Sequence, residues 1–282
     1  MFWDMNTRTF LQTAASLATA LLLGACAPET DPASLPTEDA RERTGRILLV
    51  ASSPATATTE GAQGWPLGVW IAEVSHPYYE LTEAGYDVEI VSTEGTDLFV
   101  DPYSDPRHDS GYSAEDEKSL TFLTTDLTSS QLLGTRSIDD VDAADYDAII
   151  VAGGQAPMYT FRDDERLQDL ILEFYESGRP TAALCHGVAS LVDIQTSDGE
   201  YLVDGKQLTG FSLAEDLAVE EALGGVQVFE WYVQPALEAH GARYVEQGLW
   251  ADFALADGNL ITGQQQYSGA SVARLMLEAL ED

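Results

Sequence analysis

Three short apolar runs constrain this chain more than any other feature: Arg46-Ile-Leu-Leu-Val-Ala-Ser, Tyr146-Asp-Ala-Ile-Ile-Val-Ala and Thr181-Ala-Ala-Leu. Each is nearly continuous where a half-buried strand would alternate, so each reads as a strand covered on both faces. Strands of that kind belong to parallel sheets sandwiched by helices. Asp87-Val-Glu-Ile-Val-Ser reads as a further strand. Between the runs lie stretches of helical period. Leu67–Ala84 is interrupted by Pro77 and closes at Gly85, and Asp163–Ser177 closes at Gly178. Asp97–Ser119 is polar and turn-rich and reads as a surface excursion, with Leu120–Leu133 helical after it. Past the third run come Leu208-Thr-Gly-Phe-Ser and helices over Leu213–Leu223 and Trp231–His240. A hairpin over Phe253–Thr262 turning at Asp257-Gly258 follows, then a last helix from Ser268 to Leu280. The alternation predicts an α/β three-layer sandwich with a mostly parallel central sheet, one domain over residues 45–282. Ligands of such sheets sit beyond the carboxyl ends of the strands. Two of those ends carry unusual residues, Gly153-Gly154 and Cys185-His186.

Cys185 follows the third run directly, and Gly187-Val-Ala-Ser-Leu-Val reads as a helix that starts at once. Helix N–H groups and the macrodipole at such a turn favour negative charge and predict a stabilised thiolate. His186 adds an ionisable group and Gly187 permits a sharp turn, the layout of a nucleophile elbow with cysteine in place of serine. The plain alternative is a buried structural cysteine. Three other pieces could meet Cys185 at the sheet edge. Gly153-Gly154 allows close backbone approach and offers N–H groups to an oxyanion. Glu73, in Gly68-Val-Trp-Ile-Ala-Glu-Val-Ser-His-Pro-Tyr, is an acid among apolar neighbours. Once buried it would hold its proton and could donate or shuttle it. Glu215 or Asp216 could orient His186. His76, His108 and His240 show no metal spacing, so no metal site is expected.

The N-terminus carries an address. Arg8 precedes an apolar run, Ala14–Ala25, too short to span a bilayer but suited to a signal peptide, and Leu23-Gly24-Ala25-Cys26 looks like a lipoprotein cleavage site. Thr7-Arg8-Thr9-Phe10-Leu11 resembles a twin-arginine export motif lacking one arginine. The expectation is a signal peptide over 1–25, a lipidated Cys26, a disordered tether over 26–44 rich in Pro, Thr, Asp and Glu, and an exported protein anchored outside the cytoplasmic membrane. Cys26 and Cys185 are the two cysteines of the 282-residue chain, so lipidation of the first leaves Cys185 a lone thiol. The net charge of −35, from 48 acidic and 13 basic residues, repels nucleic acid and bare anionic membranes. Dispersed and lysine-poor, that charge reads as adaptation to high salt.

From Gly45 to the C-terminus the chain resembles the ThiJ/PfpI superfamily. Within it, the chain is similar to the branch of large heat-shock chaperones with glyoxalase III activity. The resemblance rests on Gly68–Glu73 followed by His76-Pro77-Tyr78, on Ala152-Gly153-Gly154, on Ala183–Gly187, on Leu208–Ser212 as the next strand, and on Gly258–Gln264 as a closing hairpin. It implies the flavodoxin-like fold of class I glutamine amidotransferase domains. It also implies Cys185 as nucleophile, His186 and Glu73 as acid–base groups, Gly153 and Gly154 at the oxyanion, and Asp216, five positions after Phe211, ahead of Glu215 as triad acid. The implied function is cofactor-independent conversion of methylglyoxal or related reactive carbonyls to a hydroxy acid, the D-lactate dehydratase type. A stress-protective, redox-sensing chaperone and a cysteine amidase or peptidase are the alternatives. Related proteins are often dimers, which makes a homodimer the assembly to expect. Glyoxalase-type members commonly carry a histidine after the Gly-Gly pair; Gln155 stands there in this chain, which touches the choice of substrate and leaves the nucleophile.

Overall fold

A computed structural model describes residues 44–281. The signal peptide, Cys26 and all of the tether but Thr44 therefore lie outside the described residues. The central sheet has seven strands: β1 (Arg46–Ala51), β2 (Asp87–Ser92), β3 (Arg136–Ser137), β4 (Ala148–Val151), β5 (Thr181–Leu184), β6 (Ala254–Asp257) and β7 (Leu260–Gly263). Their spatial order is β6-β7-β5-β4-β1-β2-β3, and every neighbouring pair is parallel except the β6–β7 hairpin.

The continuous apolar runs are explained by the two cores they separate. Along β1, Ile47, Leu49 and Ala51 face one cluster while Leu48 and Val50 face the other, and β4 divides Ala148 and Ile150 from Ile149 and Val151 in the same way. With side chains alternating across the sheet, a strand covered on both faces has no solvent side to make polar. Helices α1 (Ala72–Glu83), α2 (Glu117–Thr124) and α6 (Gly269–Glu281) cover the first face through residues such as Val74, Phe122 and Met276. Helices α3 (Glu165–Glu176) and α5 (Val233–Ala239) cover the second through Leu167, Phe174 and Leu237, with α4 (Leu213–Ala222) at its margin. Truncating one fully buried residue of this framework, Leu49→Ala for example, costs roughly 2–5 kcal/mol.

Several expectations need correction. The helix read over Leu67–Ala84 begins only at Ala72, because Pro66 and Leu67 pair with Ala55 and Thr56 in a small separate sheet. Pro77 sits inside α1 without interrupting it. Residues 120–133 are not one helix: α2 starts earlier, at Glu117, where the Asp116 side chain accepts from the Ser119 N–H. The chain turns extended at Thr125, and only short turns follow. Leu208 belongs to a two-residue strand, Gln207–Leu208, paired with Arg243–Tyr244 outside the main sheet. The hairpin turns at Gly258-Asn259, one residue later than the Asp-Gly pair suggested. The excursion over Asp97–Ser119 is not all surface: Asp101 and Ser104 are buried, the latter accepting from the Ile71 N–H at 3.1 Å. Among the described residues no helix is long and apolar enough to cross a membrane.

Candidate functional site

Strand β5 ends in extended backbone at Leu184, and the next residue swings to φ +56°. For a residue with a Cβ that left-handed conformation costs on the order of 1–2 kcal/mol, and it places the Cys185 side chain at the strand's carboxyl end. The segment behind it, Cys185–Leu191, is a wholly buried 3₁₀ turn and not the α-helix the sequence suggested. Three groups fall in line. The Cys185 Sγ lies 3.8 Å from His186 Nδ1, and His186 Nε2 lies 3.0 Å from Asp216 Oδ1. With Asp216 accepting, the proton sits on Nε2 and Nδ1 faces the sulfur as an acceptor. The imidazole is held between Phe211 and Phe229, at ring-centroid distances of 4.3 and 4.9 Å.

Asp216 and Glu215 are separated in role by their partners. Glu215 closes a capping box at the start of α4, accepting from the Ser212 N–H and hydroxyl through one oxygen. Its other oxygen accepts from the Trp250 N–H and the Gln264 amide. It is buried and fully used. Asp216 faces His186 and keeps Oδ2 without a hydrogen-bond partner. Burial pushes its carboxyl up, against the pull of His186.

Glu73, in the first turn of α1, has no exposed surface. Its Oε2 accepts from the Gly153 N–H at 2.8 Å, and Oε1 has no conventional partner. Burial raises the carboxyl to about 8, against contact with the Cys185 thiol and the Gly153 N–H. The approach is tight: a Cβ on Gly153 would stand 2.7 Å from Glu73 Oε2 and 2.8 Å from the Gly187 nitrogen, so no other residue fits there. Burial, and then the Glu73 carboxylate, push the Cys185 thiol well above its ordinary value, against N–H groups of Gly154 and His186. The expected stabilised thiolate is thereby corrected. The turn does supply N–H donors, but a sulfur buried beside a carboxyl loses more hydration than two donors restore. The oxyanion assignment divides too. Gly153 has spent its N–H on Glu73, while the N–H groups of Gly154, at φ +96°, and His186 lie against the sulfur. The structure thus brings Cys185, His186, Asp216, Glu73 and Gly154 together and places Gly153 behind Glu73.

Above these groups opens a cavity of about 430 Å³. Its walls include Trp70, Asp101, Tyr112, Phe211, Phe229 and Trp250, none of which the sequence reading named as a site residue. Asp101, Tyr112, Phe229 and Trp250 lie in turn-rich sequence where hydrophobic patterning gives no signal, while Trp70 and Phe211 fall in segments read as helix and strand, whose period does not mark a cavity wall. Aromatic residues clustered in turn-rich sequence, as in Phe229-Glu-Trp-Tyr232, were the one available hint. Gln155 also lines the cavity, next to Gly154. Among the described residues no group of three or more His, Cys, Asp or Glu side chains is arranged to hold a metal ion.

Comparison with known proteins agrees with this geometry. Residues 68–279 match the model of the DJ-1/PfpI family. Glyoxalase 3 of Candida albicans is 26% identical over 241 residues, 83% of this chain and 98% of that one. A probable glutathione-independent glyoxalase of Schizosaccharomyces pombe, hsp3103, is 31% identical over 239 residues, 76% of this chain and 90% of its own. Among solved structures, the Rapid Encystment Protein 24 KDa of Francisella tularensis superposes with a TM-score of 0.74 at 28% identity, over 83% of this chain and 98% of that one. With the fold, the elbow and these relatives in agreement, the chain belongs to the DJ-1/PfpI family and is similar within it to the glyoxalase III-like branch.

Proposed function

We propose that the protein is a cofactor-independent glyoxalase of the D-lactate dehydratase type, a lyase, which converts an α-oxoaldehyde and water into the corresponding 2-hydroxy acid. The observation that carries this reading is the placement of two acid–base groups on one buried thiol: His186, oriented by Asp216, and Glu73, whose raised affinity for protons suits it to transfer them near neutral pH. Glyoxalase relatives at 26–31% identity support the same reaction class.

The steps follow from the contacts. The Cys185 sulfur bonds to the aldehyde carbon while the thiol proton passes to the Glu73 carboxylate. The new alkoxide, held by the Gly154 and His186 N–H groups, then takes that proton back and leaves a hemithioacetal. Glu73 next removes the hydrogen from the former aldehyde carbon and returns it to the neighbouring carbon. Meanwhile the proton of the hemithioacetal hydroxyl moves to the ketone oxygen. One carbon is oxidised and its neighbour reduced, so the product is a thioester with no outside redox partner. Water, deprotonated by His186 Nδ1, attacks the thioester carbon and the sulfur leaves with that proton. The test is D-lactate formation from methylglyoxal by the purified protein at high and low salt, beside Cys185→Ser. Equal turnover by both proteins, or no turnover by the wild type of either methylglyoxal or a larger α-oxoaldehyde, would reject the reading.

The lipid anchor is a separate proposal, supported by the sequence around Cys26 alone. It predicts that Cys26→Ala shifts the protein from the membrane fraction to the soluble one, and unchanged fractionation would refute it.

A further inference from the structure

The cavity over Cys185 is built for something larger than a three-carbon substrate. Methylglyoxal has five non-hydrogen atoms, whereas about 430 Å³ falls among cavities that enclose drug-sized ligands, roughly 300–1,000 Å³. The extra space is walled by Trp70, Tyr112, Phe211, Val219, Phe229 and Trp250. Those walls are held in place. Trp250 sits in left-handed backbone at φ +62°, a strained conformation that persists because Glu215, itself buried and clamped by Ser212 and Gln264, accepts its N–H at 2.8 Å. The Trp250 ring meets Phe211 edge-on at 5.9 Å, and Phe211 packs on His186. On the other side Trp70 and Tyr112 meet edge-on at 5.8 Å, with the Tyr112 hydroxyl accepting from Gln266. The charge of the cavity is equally selective. Among the described residues none that lines it is a lysine or arginine, and its carboxyl groups are Asp101 and Asp216. A substrate bearing a carboxylate or phosphate would find no counter-charge there and would meet two acids inside a chain of net charge −35.

We propose that the substrate is an uncharged α-oxoaldehyde whose carbonyls are carried on a large apolar group, such as an aromatic ring or a branched alkyl chain, packed against the Trp250–Phe211 and Trp70–Tyr112 walls. This rests on the glyoxalase reading of the same site. The same electrostatics serve release, because the reaction turns an uncharged substrate into an anion in a cavity that repels anions.

The test compares phenylglyoxal with methylglyoxal as substrates of the full chain and, separately, titrates Cys185→Ser protein calorimetrically with two diketones that lack the aldehyde hydrogen the reaction transfers, 1-phenyl-1,2-propanedione and 2,3-butanedione. The wild type is expected to favour phenylglyoxal in kcat/KM by about 10-fold or more, and the phenyl diketone to bind more tightly by a similar factor. Trp250→Ala should lower kcat/KM for phenylglyoxal about 10-fold more than for methylglyoxal. Trp250→Phe, kept as a second variant should the first not fold, should show a smaller loss of the same kind. Turnover of methylglyoxal at an equal or higher kcat/KM overturns the proposal and leaves the glyoxalase reading standing. Turnover of neither aldehyde overturns the glyoxalase reading, and the apolar-group proposal is then decided by the titration: equal binding of the two diketones rejects it, and tighter binding of the phenyl compound upholds the apolar recognition.

Discussion

Helix α1 presents two acid–base residues three positions apart, and the contrast between their surroundings separates structural chemistry from reactive chemistry in this protein. His76 bonds Asp116 at 2.9 Å, much as His186 bonds Asp216 at 3.0 Å. The first pair is partly solvated, with side-chain exposures of 20% and 18%, and the second is sealed at 5% and 2%. Burial pushes the Asp116 carboxyl up, but hydrogen bonds from His76 and Ser119 outweigh it, and its affinity for protons ends below the ordinary range. Asp216 ends above its ordinary range because burial dominates and only His186 opposes it. Asp116 is a contented helix cap, whereas Asp216 and, one turn before His76, Glu73 are carboxyls held where charge is costly. Equal distances therefore do not mean equal function; dielectric surroundings and the number of donors decide.

The comparison breaks most visibly at the sulfur. Cys185→Ala should abolish D-lactate formation altogether, and a stopped assay with the purified variant reads this directly. Asp216→Asn should follow with a fall in kcat of about 10²–10⁴-fold, because an amide can hold His186 in the wrong tautomer. Asp116→Asn in the solvated pair should change kcat less than 2-fold, and a comparable loss in both variants would erase the distinction.

Glu73→Gln should also remove turnover, yet in the opposite direction for stability. Because the folded carboxyl titrates near 8 and the ordinary value is 4.5, the folded protein holds a proton between those values that the unfolded chain has released. Stability due to this group is thus greatest at low pH and falls as pH rises through that window. The variant should lose that slope and melt several degrees above wild type at pH 9, as measured by calorimetry. In the wild type, kcat/KM should rise as pH passes about 8, where the carboxylate appears. The smallest effect belongs to the helix cap: Asp116→Ala should cost about 1 kcal/mol of stability, read by denaturant unfolding, with turnover unchanged.

Much of this arrangement could be read from the chain. The strand at Thr181–Leu184 is read with the same bounds the structure gives it, since one threonine and three apolar residues between Pro180 and a Cys-His-Gly turn admit little else. The buried acid at Glu73 could be named because it stands among Val, Trp, Ile and Ala on a helix that a parallel sheet must cover. Where the reading failed, local pattern and tertiary demand had parted. Leu67 has the right period for α1 but pairs with Ala55, and the residues behind Cys185 favour a helix yet tighten into a 3₁₀ turn under complete burial.

By itself the sequence determined the buried parallel strands, the cover on both their faces and the edge at which Cys185 and Gly154 meet, but not the short edge strand Arg136–Ser137, because burial on both faces leaves a continuous apolar signature that an exposed two-residue strand lacks. Four matters were decided only by the tertiary structure: that Asp216 and not Glu215 faces His186, that Gly153 gives its N–H to Glu73 while the Gly154 N–H lies against the sulfur, that the thiol is pushed up and not down, and that the cavity is wide and aromatic. Each depends on which donors, rings and carboxyls from distant segments arrive around one atom, and the periodicity of a chain carries no record of that.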